Sequence, residues 1–262
     1  MCTLTIRFDP DARIPVVVAA NRDELYRRVS SPPSVIPGNP PVFAPRDEEA
    51  GGTWLGVNKH GLFVSITNVW ISDGKTKHQG EPGTRSRGLL TLDVLRCESV
   101  EEAATTVRRL MKRDFYQYFN LAVASPTDGV VLSHAGSLRQ YPMSPGVTTL
   151  LNTPYRPHVD RSRVLPGGNQ GDTLPPYPPG NTGETASKDS WLQHVTSYLS
   201  QHPETCKHGK IYGTRCSHIV VISRAGDHRF WYADGPPCQT QFQDMSADLR
   251  TIVPSVRTFT TS

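Results

Sequence analysis

"MCTLTIRF" at residues 1–8 and "VVVAANRDE" at residues 16–24 decide how this chain folds. Leu4, Ile6 and Phe8 alternate with Thr3, Thr5 and Arg7, the period of a strand with one buried face. Asp9-Pro10-Asp11 supplies a turn, and Ile14 to Ala20 is an almost continuous apolar run, the composition of a strand buried on both faces. Paired as a hairpin, the two strands return the chain to its own start. Cys2 then lies close to Asn21-Arg22-Asp23-Glu24.

That neighbourhood has a chemistry. An initiator methionine is removed efficiently when the next side chain is small, and cysteine is small. Removal would leave Cys2 with a thiol and a free α-amine of pKa about 8, a nucleophile and a base on one residue. Arg22 would stabilise the thiolate, and Asp23 would orient the amine. The same tetrad also reads as solvated charges at a strand end, with Arg22 paired to Asp23 or Glu24. An acyl-transfer site further needs donors for an oxyanion. Asn68 and Asn152, each at the end of an expected strand, suit that role; either alone is more often a turn former or cap, but two at the same kind of position beside a candidate nucleophile shift the balance.

Outward from the hairpin, residues 30–50 are rich in Pro, Ser, Gly and acids and read as a surface loop. Strands are expected at 51–57 and 62–67 about a turn at 58–61, and helices at 87–97 and 100–112. Ser99 with Glu102 forms a capping box for the second helix. Strands follow at 119–124, 130–134 and 147–151. Residues 166–185 read as a mobile Pro/Gly-rich excursion. A helix is expected over 187–202 with Ser187 as its cap, then a hairpin of 219–223 and 228–233. There is no internal repeat or boundary, so 1–262 reads as a single domain. Segregated runs of strands and helices favour α+β layering, a sheet-on-sheet core flanked by helices.

Composition narrows the function. The charge of +4 over 262 residues is spread along the chain and does not call for nucleic acid. No apolar run approaches the about 18 residues of a membrane span. Polar residues at Thr3, Thr5, Arg7 and Asp9 exclude a secretory core there, so a cytoplasmic protein is expected. Five widely spaced cysteines make a poor disulfide framework. Cys206-x-His208 and Cys216-x-His218 repeat a C-x-H pair, but the gaps are tighter than in usual zinc pairs, and no metal site is expected from those four.

Cys2, "AANRDE" (19–24), "GGTWLGVNKHGL" (51–62), "TN" (67–68), "SRG" (86–88), "FNL" (119–121) and "YGTR" (212–215) together resemble the NRDE family, also called the Transport and Golgi organisation protein 2 family. That family is similar in pattern to N-terminal nucleophile (Ntn) hydrolases of the choloylglycine and penicillin V acylase type. The resemblance implies a four-layer αββα sandwich of two mainly antiparallel sheets. It implies Cys2 as nucleophile, Arg22 and Asp23 beside it, Asn68 and Asn152 as oxyanion donors, and Arg215 as a late arginine. In the acylases the arginine precedes the aspartate by three residues, whereas Arg22 and Asp23 are adjacent. The implied activity is hydrolysis of an amide or thioester of a small acyl or lipid-like substrate, with no cofactor. The family's links to haem trafficking and lipid homeostasis imply an alternative, a haem-binding carrier on the same scaffold. Its iron ligand would be Cys2 or one of His134, His158, His208 and His218, with arginines on the propionates.

Overall fold

The computed structural model describes residues 2–72, 74, 76–157, 174–178 and 184–253. The strands are β1 (Thr3–Phe8), β2 (Val16–Leu25), β3 (Ser30–Ile36), β4 (Val42–Asp47), β5 (Leu55–Asn58), β6 (Phe63–Asn68), β7 (Ile71–Ser72) and β8 (Lys77–His78). Helices α1 (Arg87–Val94) and α2 (Val100–Arg113) follow, then β9 (Phe119–Ala124), β10 (Gly129–His134), β11 (Leu138–Pro142) and β12 (Gly146–Leu150). Helix α3 (Glu184–Leu199) precedes β13 (Tyr212–Ile222), β14 (Arg229–Ala233), β15 (Gln243–Asp244) and α4 (Ser246–Arg250).

Two antiparallel sheets form the body. The first has the order β12-β1-β2-β13-β14-β15, the second β11-β10-β9-β6-β5-β4-β3. Alternation along β1 and β2 assigns their faces. Leu4, Ile6, Phe8, Val16, Val18 and Ala20 meet Phe43, Leu55, Val57 and Phe63 of the second sheet in the central core. Phe43 and Phe230 cross that core edge to face at 5.2 Å. Val17 and Ala19 point the other way, with Ile219 and Val221, onto Trp191, Val195 and Leu199 of α3. On the far side, Leu90, Val94, Ala103, Val107 and Leu110 of α1 and α2 cover Val64, Leu121 and Val123. The layers are therefore α1/α2, second sheet, first sheet, α3: the αββα sandwich expected. Two sheets with one core between them and an outer core each need strands buried on both faces, which is what the β-branched run of β2 provides.

Several boundaries differ from expectation. Strand β2 does not stop at Ala20 but continues through the charged tetrad to Leu25. Its partner β13 is eleven residues long and pairs with it from Ile222↔Val16 to Tyr212↔Leu25. Residues 30–47 form the hairpin β3–β4 rather than a loop. Pro32 and Pro33 obscured it, but β3 is an edge strand with a register shift between Ser31 and Ser34, where a missing N–H costs nothing. The strand expected at 51–57 is confined to Leu55–Asn58, and β11 was not foreseen. Helix α3 begins at Glu184, so Ser187 lies inside it. Ser99 Oγ does accept from Glu102 N at 3.1 Å, while Glu102 reaches back to Glu98 N at 2.8 Å. Most of the expected excursion at 166–185, like His158, falls outside the described residues. Within it, Leu174 is buried and its carbonyl accepts from Arg7 Nε at 2.8 Å.

Candidate active site

The register Thr3↔Asn21 brings Cys2 level with the tetrad, and Cys2 Sγ lies 3.9 Å from the Asp23 carbonyl oxygen. Strand alternation then divides the tetrad between two faces. Asn21 and Asp23 take the α3 side, and Arg22 takes the side between the sheets.

Asn21 is a clamp. Its Nδ2 donates to Leu199 O and Thr205 O, both at 2.8 Å, and its Oδ1 accepts from Ser217 Oγ at 2.7 Å. Asp23 Oδ1 accepts from Thr214 Oγ1 at 2.7 Å, and its carbonyl oxygen accepts from the Tyr212 hydroxyl at 2.9 Å. Burial pushes the Asp23 carboxyl up to about 6, against the positive amino terminus, Thr214 and Lys207, which favour the carboxylate. Burial also raises the Cys2 thiol. The amino terminus opposes that rise, the Asp23 charge adds to it, and Arg22 lowers it. A thiol held this way stays protonated at neutral pH and needs a base at the moment of attack.

Arg22 is buried with its guanidinium carbon 4.2 Å from the centre of the Trp54 ring. Its carboxylate neighbours, Asp47 at 3.8 Å and Glu24 at 4.0 Å, are beyond hydrogen-bond length. Its Nη1 is buried with no hydrogen-bond partner among the described residues. Trp54 is fixed in turn: its Nε1 donates to His218 Nε2 at 3.1 Å, and its carbonyl oxygen accepts from Ile66 N at 2.9 Å. Burial first, and the Arg22 charge second, push His218 down to about 3, so it is neutral and free to accept from Trp54.

Cys2 and Arg22 open onto a cavity of about 480 Å³, shared with Trp54, Asn68, Arg28, Arg85 and Arg87 among others. Four arginines face it against two carboxylates, Glu24 and Asp47. The volume is that of a small-molecule site.

The expected residues do not all meet there. Asn68 lines the cavity, but Asn152 does not. Asn152 Nδ2 donates instead to the Asn68 main-chain oxygen at 2.6 Å, and its Oδ1 is buried with no partner among the described residues. The Asn152 side chain thus holds the main chain of Asn68. Arg215 sits at the bulge between Thr214 and Cys216, its Nη1 bonds Asp234 Oδ1 at 3.0 Å, and it is not among the described residues lining the cavity.

A family model described as Transport and Golgi organisation 2 matches residues 1–167. The chain belongs to that family. Among curated relatives, the human Transport and Golgi organization protein 2 homolog is 27% identical, over 88% of this chain and 91% of its own. The mouse homolog is 26% identical over the same shares. Three solved structures share the fold. Penicillin V acylase from Agrobacterium tumefaciens superposes with a TM-score of 0.52 at 16% identity, covering 95% of this chain and 88% of its own. The C2A mutant of conjugated bile acid hydrolase from Clostridium perfringens gives 0.54 at 14%, covering 94% and 93%. The Caenorhabditis elegans ortholog of N-acylethanolamine-hydrolyzing acid amidase gives 0.52 at 13%, covering 97% and 98%. At these identities the likeness is one of fold, an Ntn-hydrolase fold.

Arg87, with Trp54, Arg28 and Arg85, lines the cavity without having been expected there from the sequence. Burial lowers its guanidinium to about 10, still cationic at neutral pH, and the nearby Cys2 charge pulls the other way. Its Nη1 donates to Tyr118 O at 2.9 Å. The signal was present in "GGTW" and "SRG". Thr53 N bonds Gly88 O at 3.1 Å, and a Cβ on Gly52 would lie 2.2 Å from the Gly88 carbonyl carbon. Only glycine lets the two segments approach closely enough to bring the start of α1 to the cavity. Of the histidines, His134 packs on Tyr118 and Phe119, His218 holds Trp54, and His208 lies in the loop before β13. No histidine is among the described residues lining the cavity. Among the described residues no helix is long and apolar enough to cross a membrane.

Proposed function

We propose that this protein is an N-terminal cysteine hydrolase acting on an amide or thioester of a small acyl substrate, with Cys2 given its free α-amine by removal of Met1. The observation that carries the reading is the buried, unpartnered Arg22 Nη1 beside Cys2 in a cavity of small-molecule size. An orphaned cationic donor is costly to bury, and a substrate oxygen would satisfy it.

In this reading Cys2 Sγ attacks the acyl carbon and its proton passes to the Cys2 α-amine, whose ammonium form Asp23 stabilises. Asn68 and Arg22 receive the oxyanion, and Asn152 is a positioning residue that holds Asn68. As the tetrahedral intermediate collapses, the C–N or C–S bond breaks and the ammonium returns its proton to the leaving group. Water then attacks the Cys2 thioester, giving the free acid and restoring the thiol. Arg87 takes the part expected of Arg215, as the second cation near Cys2. The excess of arginines favours a substrate bearing negative charge. A haem carrier on this scaffold would need an iron ligand in the cavity, and Cys2 is the candidate there.

The test begins with intact mass, which must show loss of Met1, followed by a panel of acyl amides and thioesters. Asp23 supplies the pH signature. Burial holds its carboxyl protonated up to about 6, and only the carboxylate can hold the α-ammonium. The α-amine, of pKa about 8, must also be free to take the thiol proton, so kcat/KM should rise about tenfold per pH unit toward 8 and about a hundredfold per unit below about 6. In Asp23→Asn the extra steepness below about 6 disappears and the plateau drops. Retained Met1, or no hydrolysis together with spectroscopic binding of haem through Cys2, would overturn the hydrolase reading.

A further inference from the structure

We propose that His202, Cys206, His208 and Cys238 form a structural zinc site on the flank of the molecule behind Asp23. Their four ligand atoms all lie within 4.8 Å of one another. The two Sγ atoms are 3.6 Å apart, Cys206 Sγ to His208 Nε2 is 3.6 Å, and Cys238 Sγ to His208 Nε2 is 3.1 Å. The rings of His202 and His208 are 4.8 Å apart at 34°.

Zinc–sulfur bonds of about 2.3 Å and zinc–nitrogen bonds of about 2.0 Å give tetrahedral edges of about 3.8 Å between sulfurs and about 3.5 Å between sulfur and nitrogen. The three distances given lie within about 0.4 Å of those edges. A disulfide would instead bring the sulfurs to about 2.05 Å, and both cysteines are free thiols. Two thiolates and two neutral imidazoles balance a divalent zinc, with two thiol protons released on binding. Four protein ligands leave no open position, so the site is structural rather than catalytic.

The ligands come from three segments that share no secondary structure: the end of α3, the loop into β13, and the turn after β14. The repeated C-x-H pattern disguises this, because its two halves separate. Cys216 and His218 face the core on β13, 3.5 Å from each other, whereas Cys206 and His208 meet Cys238 and His202. No local spacing could announce a set completed from so far along the chain.

The loop so pinned is the one on which the active-site flank rests. Thr205 O accepts from Asn21 Nδ2 at 2.8 Å, and Lys207 N donates to Thr214 Oγ1 at 2.9 Å. Thr214 Oγ1 in turn donates to Asp23 Oδ1. A metal here would tie α3, this loop and the turn after β14 together behind β2.

The full chain, purified reduced and without chelator, should carry about one zinc per molecule by elemental analysis. Cobalt replacing it should show the strong visible bands of a tetrahedral ion and a thiolate charge-transfer band. Cys238→Ser and His208→Ala, both at exposed positions, should weaken zinc binding by more than about 100-fold. Cys238→Ser should also diminish the charge-transfer band, while Cys97→Ser, remote from the cluster, leaves both unchanged. Three results would each overturn the assignment: no zinc or cobalt bound, a cobalt spectrum indifferent to Cys238→Ser, or a Cys206–Cys238 disulfide mapped in the reduced preparation. None of these readouts depends on turnover, so the site stands or falls separately from the hydrolase reading.

Discussion

On the proposed mechanism, Cys2→Ala should lower kcat/KM for acyl hydrolysis by about 10⁴-fold or more. The size of the effect follows from how the site divides its labour. In that mechanism Arg22, Asn68 and Arg87 stabilise charge, but none can form the covalent intermediate, and without the sulfur there is no acyl-enzyme. The fold should tolerate the change. Cys2 is only half-buried at the start of β1, and its thiol's contact with the Asp23 carbonyl oxygen is long, 3.9 Å. A loss of stability above about 1 kcal/mol is therefore not expected. Steady-state kinetics on the best substrate of the acyl panel, beside a thermal melt, separate the two effects. In wild type, quenched single-turnover samples should show the acyl mass on the N-terminal residue. Undiminished hydrolysis by Cys2→Ala would remove Cys2 from the mechanism altogether.

Asn120→Ala should destabilise the protein by about 3–5 kcal/mol, the largest stability effect of any polar substitution near the site. Asn120 is fully buried in β9 and all of its valences are used. Nδ2 donates to Leu151 O at 3.0 Å and Thr153 O at 2.9 Å. Oδ1 accepts from Ser133 Oγ at 2.7 Å and from Tyr155 N at 3.0 Å. Truncation leaves two carbonyls short of a donor and a hydroxyl short of an acceptor, each costing about 1–3 kcal/mol unless water enters. The thermal midpoint should fall by roughly 10 °C for a chain of this size. Since residues 151–155 carry Asn152, which fixes the Asn68 carbonyl, activity should fall beyond what the unfolded fraction explains. A destabilisation under about 1 kcal/mol would mean that this polar knot is replaceable and that Asn152 is held by something else.

Both predictions rest on residues whose types were legible in the sequence and whose relations were not. The β1–β2 hairpin could be read because alternation, a turn and a β-branched run are local signals. From it followed the place of Cys2 beside Arg22 and Asp23. The αββα layering was legible in the same way, from the order of elements and the double-sided burial of β2. Asn120 stood in plain view in "FNL", but nothing local says whether a strand asparagine knots the core or faces solvent.

What the sequence determined by itself was therefore most of the strands and helices, the alternation of faces along β1 and β2, and the place of a cysteine with arginine and carboxylate near it. Only the tertiary structure decided which faces meet. It extended β2 through the tetrad because β13 was there to pair with it, and made an edge strand of residues carrying two prolines. It brought Arg87 to the cavity, set Arg215 beside Asp234, bonded Asn152 to the Asn68 main chain, and gathered Cys238 and His202 to half of a repeated motif. The physical reason is one of range. Periodicity records the environment of a residue along its own strand or helix, whereas a site is assembled by contacts between segments far apart in the chain, and those depend on packing that no single segment encodes.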